Sequence, residues 1–146
     1  MQIEIKIDPD CREPKILIVT DKVTEEVNCI LKKLSEDSPQ VITGFREDVA
    51  EILAPEEIFR FYAGNGKVFA TTTKGEFSLR IRLYEIEENL SLPNFVRISN
   101  SEIINLKKVK NFDLSFTGTI CVTLLDGTVT YVSRRYVNKI KKILGL

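Results

Sequence analysis

Apolar and polar residues alternate strictly at the start of the chain. Ile3, Ile5 and Ile7 stand between Gln2, Glu4, Lys6 and Asp8. A period of two predicts a half-buried strand over 2–8. Pro9 to Pro14 reads as a loop, and Lys15 to Thr20, more continuously apolar, predicts a second and more central strand. Val23, Val27, Ile30, Leu31 and Leu34 then fall at helical spacing over about 22–35, with Glu25, Glu26, Lys32 and Lys33 on the other face. Ser35 to Gln40 ends that helix in a loop containing Pro39, a strand follows near Val41 to Thr43, and a polar stretch from Arg46 to Glu51 leads to Ile52 and Leu53. Such a β-β-α-β piece is too small to bury a generous core alone, so it is expected to pack on the rest of the chain or on a second copy.

From Pro55 the pattern becomes β throughout. Ile58 to Ala63 predicts a strand, Gly64-Asn65-Gly66 a turn, and Lys67 to Thr73 the return strand. Lys74-Gly75 turns again into Glu76 to Ile81, and Leu83, Ile86 and Leu90 suit a short acidic helix closed by Pro93. Phe95 to Ile98 is the next strand, Ser99-Asn100-Ser101 a polar turn, and Glu102 to Val109 continues in β. Leu114 to Phe116 and Thr119 to Leu125 predict strands around Thr117-Gly118, and Asp126-Gly127 turns the chain back into Thr128 to Val132. Ser133 is a good N-cap for a last helix whose apolar stripe is Val137, Ile140, Ile143 and Leu144, with Gly145 as its stop. The expected fold is α+β and mostly β, divided into a small N-terminal segment 1–55 and a β-rich domain 56–146.

Composition narrows the function classes. At 146 residues and 43% hydrophobic the chain suits one folded soluble domain with at most a small appendage. Its apolar runs are too short to span a membrane, and MQIEIKIDPD has no signal-peptide core, so a cytoplasmic protein is expected. The three cysteines, Cys11, Cys29 and Cys121, are odd in number and far apart, which points to buried free thiols rather than a disulfide or metal framework. Histidine is absent, which removes Ser-His-Asp and Cys-His nucleophiles and most catalytic zinc sites. An acid–base pair built from Glu56 and Glu57 fails on geometry, because adjacent residues do not face one another on a helix or a strand. No catalytic residue, metal site, cofactor or small-molecule substrate is indicated.

Charge is balanced overall but not along the chain. Residues 1–91 carry 12 Lys+Arg against 18 Asp+Glu, and residues 92–146 carry 9 against 3. A basic C-terminal third suits either a polyanion or a solvated face. Gly64-Asn65-Gly66-Lys67 is no phosphate-binding P-loop, since Val68 follows the lysine and a strand follows the turn.

Two motifs in this basic third carry a resemblance. Phe95-Val96-Arg97-Ile98-Ser99-Asn100-Ser101-Glu102-Ile103-Ile104-Asn105 resembles the F-x-R-x-[HS]-[NR]-S-x-[IV]-[IV]-N pattern of the LytTR DNA-binding domain. Asp126-Gly127, followed by Val132-Ser133-Arg134-Arg135-Tyr136, is similar to that family's G-x-x-x-x-[IV]-S-R-x-Y pattern. Both occur in order over Phe59 to Leu146. Residues 1–55 match no receiver domain, so the chain looks like a stand-alone LytTR regulator.

The resemblance implies small antiparallel sheets packed side by side, with short helices and with loops, not a helix-turn-helix, entering successive major grooves of double-stranded DNA. It implies that Asn100 and Arg135 read bases, since Arg can bridge guanine O6 and N7 and Asn matches adenine. Arg97, Ser99, Ser101, Ser133 and Arg134 would hold phosphates. The family's first reading loop corresponds to Gly64–Lys67; some members carry histidine there, and Asn65 and Lys67 are this chain's substitutes. Asn105 is expected as a structural turn residue and Tyr136 as a packing residue, while Lys139, Lys141 and Lys142 suit a solvated face. A homodimer on paired half-sites and an inhibitory membrane protein partner are further implications, with 1–55 as the dimerisation or docking segment. The alternative reading is a β-rich protein-interaction module whose basic face meets an acidic partner without sequence-specific DNA binding.

Overall fold

Every strand from Ile42 onward pairs with a neighbour. The computed structural model describes residues 1–34, 41–90 and 92–146, and the chain divides into two compact units, 1–39 and 40–146. The expected loop at Ser35–Gln40 lies outside the described residues.

In the larger unit β1 (Ile42–Arg46) and β2 (Val49–Leu53) form a hairpin, with Ile42 opposite Leu53. Strands β3 (Ile58–Gly64), β4 (Lys67–Thr72) and β5 (Gly75–Leu79) form a meander. Helix α1 (Leu83–Asn89) follows it, counted within this unit, and then β6 (Phe95–Ser99) and β7 (Glu102–Asn105). Together the strands make a seven-stranded antiparallel sheet in the order β2-β1-β5-β4-β3-β7-β6. A second sheet of three strands contains β8 (Val109–Asp113), β9 (Ile120–Leu124) and β10 (Val129–Val132), with β9 in the middle. Helix α2 (Arg134–Ile143) ends the unit. The fold is α+β and mostly β.

Two hydrophobic cores hold these layers. One gathers Ile58, Phe61, Val68, Phe77, Leu79, Leu83, Ile86 and Ile103 on the side covered by α1. The other gathers Phe59, Ile98, Ile104, Ile120, Val122, Leu124, Val132 and Ile140 between the two sheets and α2. Alternation along β7 sends Ile103 into the first core and Ile104 into the second, so all four residues of that strand are buried. Tyr136 and Val137 pack against the second core, as the helical spacing requires. Gly145 takes a left-handed φ of 78° and donates its N–H to Lys142 O, which stops α2.

Several expectations are corrected. Residues 2–8 and 15–20 form no strand in this chain, and Ile3, Ile5 and Ile7 are 88–91% exposed. A period of two marks a face that something must cover; it does not say that the cover lies in the same chain, and a lone two-stranded ribbon is marginal in water. Among its described residues the smaller unit instead contains one helix, Glu25–Leu34, beginning later than expected and burying Val27. The strand expected near Val41–Thr43 is β1, the expected polar stretch Arg46–Glu51 turns it into β2, and this hairpin pairs Phe45 with Ser78 of β5 and widens the main sheet. No strand forms over Leu114–Phe116: the Asp113 carboxylate accepts from the N–H and hydroxyl of Ser115, at 2.9 and 2.6 Å, and turns the chain after β8. Of the cysteines only Cys121 is buried; Cys11 and Cys29 are exposed.

Asn105 is the structural residue its motif position suggests. It is 3% exposed, donates from Nδ2 to Ile58 O at 2.8 Å, and accepts from Lys107 N–H at 3.0 Å. It thereby ties the end of β7 to the start of β3 and caps the short 3-10 turn Leu106–Lys108. Asn105→Ala is expected to destabilise the domain by about 1–3 kcal/mol, the cost of stripping buried hydrogen bonds. A urea titration checks it: the midpoint should fall with the slope unchanged.

Candidate nucleic-acid interface

The β6–β7 connection is short and polar, and it is built around a guanidinium. Ser99 pairs with Glu102, leaving Asn100 and Ser101 as the turn. The Arg97 side chain is only 13% exposed. Its Nε donates to Ser99 O and its Nη2 to Asn100 O, both at 2.7 Å, while Nη1 lies 3.5 Å from the Glu87 carboxylate of α1. The planar fork thus holds two consecutive carbonyls of the turn from beneath. Ser99 and Ser101 complete it, their hydroxyls 3.3 Å apart and the Ser101 N–H on Ser99 Oγ. The loop is fixed by its own polar residues, which leaves the Asn100 side chain exposed at the tip.

The start of α2 meets this tip. Ser133 N–H donates to Ile98 O at 2.9 Å, pinning the helix entry to β6. Arg135 then reaches across, with Nη1 3.5 Å from Asn100 Oδ1. The two side chains expected to read bases are therefore neighbours, although 35 residues apart in sequence. Ser133 occupies the N-cap position with no side-chain capping bond. Together with Arg134 and Arg135 in the first turn, the uncapped helix start suits a phosphate. The Arg134 guanidinium lies over Gly118, where an added Cβ would stand 3.6 Å from Nε.

The β3–β4 turn lies beside the same loop. Asn65 and Gly66 have φ of 53° and 74°, the two positive values of a type I′ hairpin. Tyr62 pairs with Glu102, and Ala63 N–H donates to Ser101 O at 2.8 Å, so this turn and the β6–β7 turn share one end of the sheet. Asn65 and Lys67 are exposed, and their side chains make no hydrogen bond or ion pair among the described residues. All nine expected site residues thus fall on three adjoining segments. Lys139, Lys141 and Lys142 are exposed along α2, as a solvated face requires.

Behind these segments lies a network that pattern reading passed over. Glu102 is 8% exposed; its Oε1 accepts from Arg60 Nη1 at 3.2 Å and from Thr130 Oγ1 at 2.9 Å, joining the large sheet to β10. Its Oε2 and the Arg60 Nε are buried without a partner. The signal was available: Glu102 opens a strand whose next two residues are Ile103 and Ile104, and it shares the face of Ile104.

Burial raises the Glu102 pKa above the ordinary carboxylate value, and the Thr130 and Arg60 contacts offset this only in part. The folded protein therefore holds this proton more tightly than the unfolded chain. Stability should fall as pH rises from about 4.5 through the raised value. Glu102→Gln keeps an acceptor for Arg60 and Thr130 and should remove that slope, whereas Glu102→Leu should cost about 3–5 kcal/mol by stranding Arg60. Urea midpoints between pH 4 and 8 check both; an unchanged slope in the Gln variant would contradict this account.

Comparison with known proteins bears on the family and the fold. The family model of the LytTr DNA-binding domain matches residues 49–145. A protein of Staphylococcus aureus (strain NCTC 8325 / PS 47), named as an uncharacterized HTH-type transcriptional regulator, is 31% identical over 147 residues, covering 100% of this chain and 99% of its own. Its counterpart in strain COL matches equally, at 31% over 147 residues. In structure, the LytTr DNA-binding domain of a Bacillus cereus protein superposes with a TM-score of 0.70 at 21% identity, covering 75% of this chain and 100% of that one. The "HTH-type" in the relatives' names has no counterpart here: among the described residues no two helices follow one another without intervening strands. On the family match, the shared fold and the three adjoining segments, the chain belongs to the LytTR DNA-binding domain family.

Proposed function

We propose that this chain is a transcriptional regulator that binds double-stranded DNA sequence-specifically, reading major-groove edges with the tips of its loops. The observation that carries this reading is the meeting of Asn100 and Arg135 at 3.5 Å on a loop fixed from beneath by Arg97. A preorganised donor–acceptor pair at a loop tip is what base-edge recognition requires, since ordering it on binding would subtract from affinity. Arg135 takes guanine O6 and N7, and Asn100 takes adenine. Ser99, Ser101, Ser133 and Arg134 set the register on phosphates. Arg97, being largely buried and already bonded to two carbonyls, acts as a positioning residue for the loop. Asn65 and Lys67 extend the footprint along the groove. The basic balance of residues 92–146, 9 cations against 3 anions, supplies salt-dependent affinity. The regulator role is supported by the names of the staphylococcal relatives, and a homodimer would present two such surfaces to paired half-sites.

Selection of bound sequences from a random duplex pool tests this. Wild type should enrich a defined motif, and Arg135→Ala should lose one guanine preference at a cost of about 1–3 kcal/mol. Arg134→Ala should instead weaken all sequences alike and reduce the salt slope by about one. If wild type enriches nothing at moderate salt, the basic face is a generic polyanion or protein surface and the interaction-module reading replaces this one.

A further inference from the structure

Most apolar side chains of residues 1–20 are exposed. Ile3, Ile5 and Ile7 are 91%, 89% and 88% exposed, and Ile16, Leu17 and Val19 are 72%, 78% and 88% exposed. Single exposed apolar residues are ordinary on a protein surface, but in strand conformation Ile3, Ile5 and Ile7 would share one face of the first run and Leu17 and Val19 one face of the second, a surface suited to a partner.

We propose that residues 2–8 pair with the same residues of a second copy of this chain, antiparallel about a two-fold axis through Ile5. Charge complementarity singles out this occupant and this register. With Ile5 opposite itself, Ile3 faces Ile7 of the second copy, and both lie on one side of the ribbon. On the other side Glu4 faces Lys6 and Lys6 faces Glu4, so that two attractive pairs form at once. Every neighbouring arrangement is worse. An antiparallel shift of two in one direction puts Glu4 opposite Glu4; the other puts Lys6 opposite Lys6 and Glu4 opposite Asp8. Odd shifts oppose isoleucine to charge, and parallel in-register pairing stacks like charges at Glu4, Lys6 and Asp8.

Residues 15–20 flank the ribbon on each side, making four strands from two segments that are marginal as a single hairpin. The helix Glu25–Leu34 follows directly, and Val23 and Leu34, 70% and 52% exposed, belong to the apolar surface available to cover such a sheet. That the dimer serves paired half-sites rests on the DNA-binding reading above; the strand pairing itself does not.

Sedimentation equilibrium on the full chain, with Cys11→Ser and Cys29→Ser to exclude thiol cross-links, tests the proposal. Wild type should be a reversible dimer. Glu4→Lys and Lys6→Glu should each weaken it about tenfold, because each converts two attractive cross-strand pairs into repulsive ones. The double variant Glu4→Lys/Lys6→Glu should return to within about threefold of wild type, a rescue that only residues facing each other can give. A monomeric wild type, singles without effect, or a double variant no better than the singles would each overturn the proposal. Binding of a duplex with one half-site is measured alongside and should be equal in all four proteins. Its absence even in wild type would sink the DNA-binding reading while leaving the strand pairing to stand on the sedimentation result.

Discussion

Strand β7 is buried on both faces, and most of the candidate interface depends on it. Ile103 closes one core and Ile104 the other, so the strand cannot slip by one residue without exchanging the two. Its first residue is a carboxylate with Arg60 on one side and Thr130 on the other. Its last residue is Asn105, which holds the start of β3. Between these anchors the register of the β6–β7 turn is over-determined, and Asn100 is carried to a fixed place. A buried carboxylate costs stability by itself. Here it joins the large sheet to β10, two residues before the Val132–Ser133 step at which α2 begins.

The candidate interface is consequently made of loop tips, each held differently. The β6–β7 turn is held by the Arg97 fork on two carbonyls. The helix start is held by one backbone bond to β6, and the β3–β4 turn by the positive-φ pair Asn65-Gly66 and by the Ala63–Ser101 bond. None of these devices needs a helix in the groove. On the proposed reading a mostly β domain would offer a recognition edge made of turns, and a helix-turn-helix label fits this architecture poorly.

Much of the larger unit was legible because its signals are local. Asn65-Gly66 and Asp126-Gly127 name their turns, and the helical stripe of Val137 and Ile140 names α2. What escaped were effects that cross the chain. One exception is local: no strand forms at Leu114–Phe116, where the Asx turn from Asp113 to Ser115 outweighs two apolar side chains, and β8 lies at Val109–Asp113. The β1–β2 hairpin joined β5 because Phe45 and Ser78 pair over a long separation, which no window of residues reveals. Within the site, the motif brought forward Asn100, Arg135 and their neighbours, but it could not show that Arg97 faces inward or that Glu102 stands behind the loop. The alternation of Ile3, Ile5 and Ile7 predicted a half-buried strand, whereas these residues form no strand and are exposed, because alternation marks a face without naming what covers it.

The central claim is that Arg135, held beside Asn100, meets a guanine in the major groove. Methylation interference on a bound duplex tests it most directly, because dimethyl sulfate modifies guanine N7 in the major groove and adenine N3 in the minor groove. The account predicts that methylation of one guanine N7 in each half-site abolishes wild-type binding. The same modification should cost the Arg135→Ala protein little, since the contact it blocks is already gone. Interference confined to adenine N3, or equal interference in both proteins, would contradict it.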